Sequence, residues 1–185
     1  MSLIRVFISA EITAKEEISN LQDELLRRAQ LDSLKIKVVD QENFHFTLVF
    51  IGEVTISSLE QIIAGLSSFN FSSFNFNFSR IGGFPDLKNA NIVWIGVDKT
   101  GERKLFEIHR DILQELPSFA PSEKNIFVPH ITLFRIKRGV LNVESMTAKI
   151  IQINIQDRIN EITLKKSVLT PSGPKYSNII TVNGI

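Results

Sequence analysis

An internal repeat that hardly shows as sequence identity runs through this chain. Residues 5–12 (RVFISAEI) line up with residues 92–99 (IVWIGVDK), and 45–48 (HFTL) with 130–133 (HITL), at offsets of 87 and 85. Periodicity around these anchors gives the same order of elements twice. The first pass has a strand over 4–10 and then a helix over about 13–29. Ile18, Leu21, Leu25 and Leu26 fall at helical spacing there, and Thr13 with Glu16 reads as a capping box at its start. A short strand at 35–39 follows, then the His45 strand ending at Gly52, a helix over 55–66, and a half-buried strand marked by Phe74, Phe76 and Phe78. Residues 81–89 (IGGFPDLKN) carry turn chemistry. The second pass has a strand at 92–97, a helix over 101–116 and a loop bracketed by Pro117, Pro121 and Pro129. The His130 strand follows, with a short helix over 143–150, alternation around Ile162 and Leu164, and a closing strand at 177–182.

Each half therefore reads as strand, helix, His-x-Thr-Leu strand, helix, strand. No linker rich in Gly, Ser or Pro separates the halves, so two independent domains are not expected. The fold expected is α+β: one bilobal domain over 1–185, with mostly antiparallel sheets facing a central cleft. Repeats of about 1–88 and 89–185 would form its two pseudo-symmetric lobes.

Composition narrows the function. Of 185 residues, 21 are basic and 20 acidic, a balance unlike that of a protein gripping long nucleic acid through a broad basic face. Cysteine is absent, which removes disulfides, thiolate nucleophiles and cysteine-held metals. The start of the chain has no signal-peptide pattern, and no apolar run approaches membrane-spanning length, so a cytoplasmic protein is the expectation.

The chemistry lies in the repeated motif. In FHFTLVF (44–50), ideal strand alternation puts Phe44, Phe46, Leu48 and Phe50 on one apolar face and His45 with Thr47 on the other. The chain has three histidines, and two of them begin His-x-Thr-Leu at repeat-related positions. If the halves pack about a pseudo-two-fold axis, the motif strands lie side by side and present two imidazoles and two hydroxyls to one cleft. Histidine titrates near neutrality, so one ring can act as general base and the other as general acid. Threonine hydroxyls can donate to the non-bridging oxygens of a phosphate. The set suits in-line displacement at phosphorus, with His45 and His130 catalytic and Thr47 and Thr132 holding the phosphate. Either imidazole can take either role. Zinc normally takes three or four protein ligands, and no third ligand stands at a convincing spacing, so neither a metal nor a cofactor is expected. His109 lacks a threonine two residues on and reads as a surface or boundary histidine of its helix.

At these motifs the chain resembles the 2H phosphoesterase superfamily, and within it the RNA 2′,3′-cyclic phosphodiesterases, also called 2′-5′ RNA ligases. The resemblance runs from Arg5-Val6-Phe7-Ile8 through residues 43–52 and 129–135 to 167–176. It implies opening of a 2′,3′-cyclic phosphate, on an RNA end or a nucleoside, to a 2′-phosphate; a monomer is the separate expectation. His45 would be the proton donor, His130 the acceptor, Arg135 a cation for the phosphate and Phe7 a contact near the nucleotide. Arg135 has the wrong parity for the His130 face of an ideal strand, so it reaches the site only if that strand ends, twists or bulges. Phe134, where the family often has a small residue, would narrow the cleft. Residues 173–176 (GPKY) fit a turn in which Tyr176 packs rather than reacts. Alternatives are a non-catalytic module for RNA ends or nucleotides, and a 2H phosphodiesterase acting on 2′-5′ oligonucleotides.

Overall fold

The computed structural model describes residues 3–29, 34–120, 126–147, 152–171 and 173–185. Among these residues, nine strands and four α-helices follow in chain order: β1 (Ile4–Glu11), α1 (Lys15–Arg28), β2 (Lys35–Val38), β3 (His45–Val54), α2 (Ile56–Ser68), β4 (Phe74–Phe84), β5 (Ile92–Val97), α3 (Lys99–Glu115), β6 (His130–Arg138), α4 (Val143–Thr147), β7 (Ile155–Ile159), β8 (Glu161–Thr170) and β9 (Gly173–Asn183). The strands form two sheets, ordered β3-β1-β8-β9 and β2-β6-β5-β4-β7, and every strand pairing within them is antiparallel. The α+β, two-sheet architecture expected from the sequence is the one found. Among the described residues, no helix is long and apolar enough to cross a membrane.

The sequence repeats are not themselves the lobes. In the first sheet β1 lies between β3 and β8; in the second, β5 lies between β6 and β4. Each repeat thus supplies its central strand and motif strand to one sheet and its last long strand to the other. The exchange is invisible to periodicity because alternation reports which face of a strand is buried, not which sheet it joins. Phe46 of β3 packs edge-on to Phe76 (5.7 Å) and stacks on Phe78 (6.0 Å) of β4, linking one sheet to the other in a continuous apolar core.

Four local expectations change. The start of α1 is not closed by a Thr13–Glu16 box. The buried carboxylate of Asp157, from β7, accepts from the Thr13 hydroxyl (2.6 Å) and from the backbone N–H groups of Thr13 and Ala14 (2.9 Å each). Hydrogen bonds to a charged acceptor are each worth about 1.5–3 kcal/mol, so a distant carboxylate displaces the local cap. β7 itself was not anticipated, and it forms the outer edge beyond β4. Residues 173–176 are not a turn but the start of β9, with Tyr176 opposite Ser167 of β8. Finally, Phe50 is 47% exposed, not core; a bulge in β3 is the cause. The last part of the helix expected at 143–150 lies outside the described residues.

The strand exchange carries a direct test. A fragment of residues 1–88 has β1 without β8 and β4 without β5, so it is expected to show no cooperative thermal unfolding by circular dichroism, whereas the full chain does. A cooperative transition in the fragment would mean that one repeat can fold as a lobe.

Candidate active site

The two motif strands lie in different sheets and carry the same irregularity. On β3, Ile8 pairs with Val49 and Ser9 with Thr47, which leaves Leu48 as the extra residue. On β6, Trp94 pairs with Thr132 and Val93 with Phe134, which leaves Leu133 extra. A bulge turns two consecutive side chains to the same side and reverses the alternation beyond it. Leu48 and Val49, and Leu133 and Phe134, are accordingly all buried. Phe50 and Arg135 therefore emerge where ideal alternation would bury them.

The consequence for Arg135 is direct: it lines the same cleft as His130 and Thr132. The Phe134 expectation is overturned. Its side chain is fully buried behind the strand and does not narrow the cleft. Phe50 emerges at the corresponding place on β3, with the Arg5 guanidinium 5.0 Å from its ring centre.

His45, Thr47, His130, Thr132 and Arg135 line one cleft of about 550 Å³, together with Tyr176 and the basic rim residues Lys37, Lys137 and Lys175. Both imidazoles sit against aromatic rings. Phe7 stacks on His45 (5.1 Å, 29°) and Tyr176 meets its edge (5.5 Å, 86°). Trp94 lies against His130 (5.8 Å) and Phe84 meets it edge-on (5.0 Å). Phe7 and Trp94 are 87 residues apart, the offset of the strand repeat. Phe7 is 3% exposed in this arrangement, a backing for His45 beneath the cleft surface. The indole of Trp94 needs bare backbone beside it, since a Cβ at Gly82 would come within 2.1 Å of the ring.

The histidines differ in their hydrogen bonds. His130 Nδ1–H donates to the Val128 carbonyl (2.7 Å), which leaves Nε2 with the lone pair. His45 Nε2 lies 3.2 Å from the Thr47 hydroxyl, while its Nδ1 is buried without a hydrogen-bond partner. The backbone carbonyl of Asn43 favours the protonated ring from nearby but is not in hydrogen-bond geometry. Burial and then the Lys165 ammonium push the His45 pKa down to about 4, against an opposing pull from Glu11. Burial, with a contribution from the Arg135 charge, also lowers that of His130.

Periodicity could not find the groups beneath His45. Glu11 is its cross-strand neighbour on β1, and Lys165 Nζ bonds Glu11 Oε2 at 2.9 Å in a largely buried ion pair. Ser9 donates to Glu11 Oε1 (2.6 Å). Lys165 is 154 residues from Glu11 in sequence, so only the β1–β8 pairing reveals the set. Among the described residues, no group of three or more His, Cys, Asp or Glu side chains is arranged to hold a metal ion.

Two threonine hydroxyls, a guanidinium and two imidazoles thus line one cleft, a set whose chemistry suits hydrogen bonding to a phosphate ester and proton transfer. Residues 10–94 match the family described as LigT like Phosphoesterase. A protein of Aeropyrum pernix described as an RNA 2′,3′-cyclic phosphodiesterase is 35% identical over 80% of this chain and 85% of its own length. One of Archaeoglobus fulgidus with the same description is 29% identical over 95% of this chain and 98% of its own. The crystal structure of E. coli LigT in apo form has the same fold, with a TM-score of 0.77 at 18% identity, covering 100% of this chain and 99% of that one. E. coli LigT complexed with 3′-AMP also gives 0.77, at 20% identity and 98% coverage of each chain. With its paired motifs on the two bulged strands, the chain belongs to the LigT-like phosphoesterase family.

Proposed function

We propose that this protein hydrolyses the 2′,3′-cyclic phosphate at an RNA end, or on a nucleoside, to a 2′-phosphate, as a monomer and without a metal. The observation that carries this reading is the meeting of both His-x-Thr pairs and Arg135 in the lining of one cleft.

In the proposed reaction, His130 Nε2 takes a proton from water as the water oxygen bonds to phosphorus in line with the P–O3′ bond. That bond breaks, and His45 gives its proton to the departing 3′ oxygen, so that the 2′-phosphate remains. Thr47 and Thr132 donate hydrogen bonds to the non-bridging oxygens, and Arg135 balances their growing charge. A 5′-hydroxyl of a second RNA in place of the water gives a 2′-5′ linkage by the same displacement, which is how ligase activity would arise in this site.

The assignment of base to His130 rests on its Nδ1–H bond to Val128, which presents Nε2 unprotonated. His45 as acid requires a proton that its depressed pKa disfavours in the free protein. A phosphate anion beside a desolvated imidazole favours the charged ring, so substrate and proton would bind together. The relatives described as RNA 2′,3′-cyclic phosphodiesterases and the 3′-AMP complex of E. coli LigT support a nucleotide phosphate as ligand. A cytoplasmic setting suits a cysteine-free chain of this kind.

Single substitutions His45→Ala and His130→Ala are each expected to lower kcat by about 10²–10⁴-fold. Circular dichroism should be unchanged and wild-type activity should persist in EDTA. Full turnover in either variant refutes the mechanism.

The pH dependence has a definite sign. Both histidine pKa values are depressed in the free protein, so kcat/KM for a 2′,3′-cyclic nucleotide is expected to peak between about 4 and 6.5. The bound anion raises the pKa of the acid, so the alkaline limb of kcat lies at higher pH than that of kcat/KM. Coincident limbs would show that the substrate does not stabilise the imidazolium. Replacing Lys165 by Met removes a nearby cation and is expected to raise the His45 pKa above about 4, read from its Cε1 proton by NMR titration. An unchanged value would show that the Lys165 charge does not depress it.

A further inference from the structure

The two bulges are each held by a side chain from a helix of the opposite repeat. Gln22, buried on α1, donates from Nε2 to the Leu133 carbonyl at 2.6 Å and to the Val39 carbonyl at 2.9 Å. His109, on α3, donates from Nδ1 to the Leu48 carbonyl at 2.7 Å. Leu48 and Leu133 are the extra residues of the bulges, and Gln22 and His109 are themselves 87 residues apart. An amide and an imidazole thus occupy equivalent places and play the same part. Each donates to the carbonyl of a bulge's extra residue; at Leu133 the amide is a second donor beside the backbone N–H of Val39 (2.9 Å), so the side chain ties the bulge to its helix.

His109 has a second contact. Its ring stacks face to face on Phe127 (4.2 Å, 8°). Phe127 directly precedes Val128, whose carbonyl fixes the tautomer of His130. One side chain therefore bears on the bulge behind His45 and Thr47 and on the approach to His130. Neither Gln22 nor His109 lines the cleft. The reading of His109 as a surface or boundary histidine missed this role, because its partner carbonyl is 61 residues away.

We propose that Gln22 and His109 are positioning residues for the phosphoesterase reaction, acting through the Leu133 and Leu48 carbonyls to keep the bulged motif strands aimed at the cleft. This rests on the cyclic phosphodiesterase reading given above. Misplacing catalytic groups by about 1 Å can cost about 10²-fold in rate, so small relaxations of either bulge would register in kcat.

The test uses the full-length protein and a nucleoside 2′,3′-cyclic phosphate. His109→Phe keeps an aromatic ring for Phe127 but has no donor, and it is expected to lower kcat about 10–100-fold with KM little changed. His109→Gln installs the donor that works at position 22 and is expected to stay within about threefold of wild type. If His109→Phe does not fold, His109→Asn, one methylene short of that amide, replaces it. Gln22→Met is expected to lower activity in the wild type but to have little further effect in an Arg135→Ala background, since it acts by presenting Arg135. The His45 Cε1 proton signal should move in His109→Phe and stay in place in His109→Gln, a readout independent of turnover. Wild-type kcat in folded His109→Phe, equal losses in the Phe and Gln variants, or full additivity of Gln22→Met with Arg135→Ala would each overturn the proposal. A wild-type protein inert towards all four nucleoside 2′,3′-cyclic phosphates would instead refute the reaction, with the His45 signal still deciding the positioning role.

Discussion

One extra residue at the leucine of each His-x-Thr-Leu motif decides what this cleft can be. Without the bulge at Leu133, Arg135 would share a face with Ile131 and Leu133 and carry its guanidinium into the core, where an unpaired charge is costly. With it, the chain buries Leu133 and Phe134 in succession and delivers the cation to the side of His130 and Thr132. The bulge at Leu48 repeats the device on the other strand and brings out Phe50 in the place of Arg135. The local break in pairing is thus the means by which a two-residue periodicity carries a site needing side chains one, three and six residues into the strand.

The near-symmetry of the repeats stops short of the chemistry. Both imidazoles rest on aromatic rings, and both strands bulge at the same leucine. Only His130 has its Nδ1 proton fixed by a backbone carbonyl, and only His45 stands over a buried lysine–glutamate pair. Two like groups therefore sit in unlike surroundings, and burial with the Lys165 charge depresses the His45 pKa to about 4.

Much of this was legible in the sequence, and the limits have physical reasons. The motif strands, their helices and the pairing of His45 with His130 follow from periodicity and spacing, which report local face and repeat order. That Arg135 needs a bulge could also be stated in advance, from parity alone. What could not be read are contacts made by chain closure: Asp157 capping α1, Lys165 meeting Glu11, Gln22 reaching Leu133. Each joins residues more than a hundred positions apart, and no local pattern encodes such a partner. Phe50 shows the same limit within one strand. Its alternation is correct up to Leu48, and the reversal after it comes from packing against β1 and α3.

The exchange of β4 and β8 between the repeats also sets an order in time. Val6 pairs with Lys166, so β1 cannot acquire its second neighbour until the residues of β8 have been made and have left the ribosome. Until then β1 offers an open edge, and the floor beneath His45 lacks Lys165. Pairings of such long range make folding slow compared with local hairpins and helices. The strands that finish the first sheet, β8 and β9, thus also finish the buried floor beneath His45, so the two are completed in one late step.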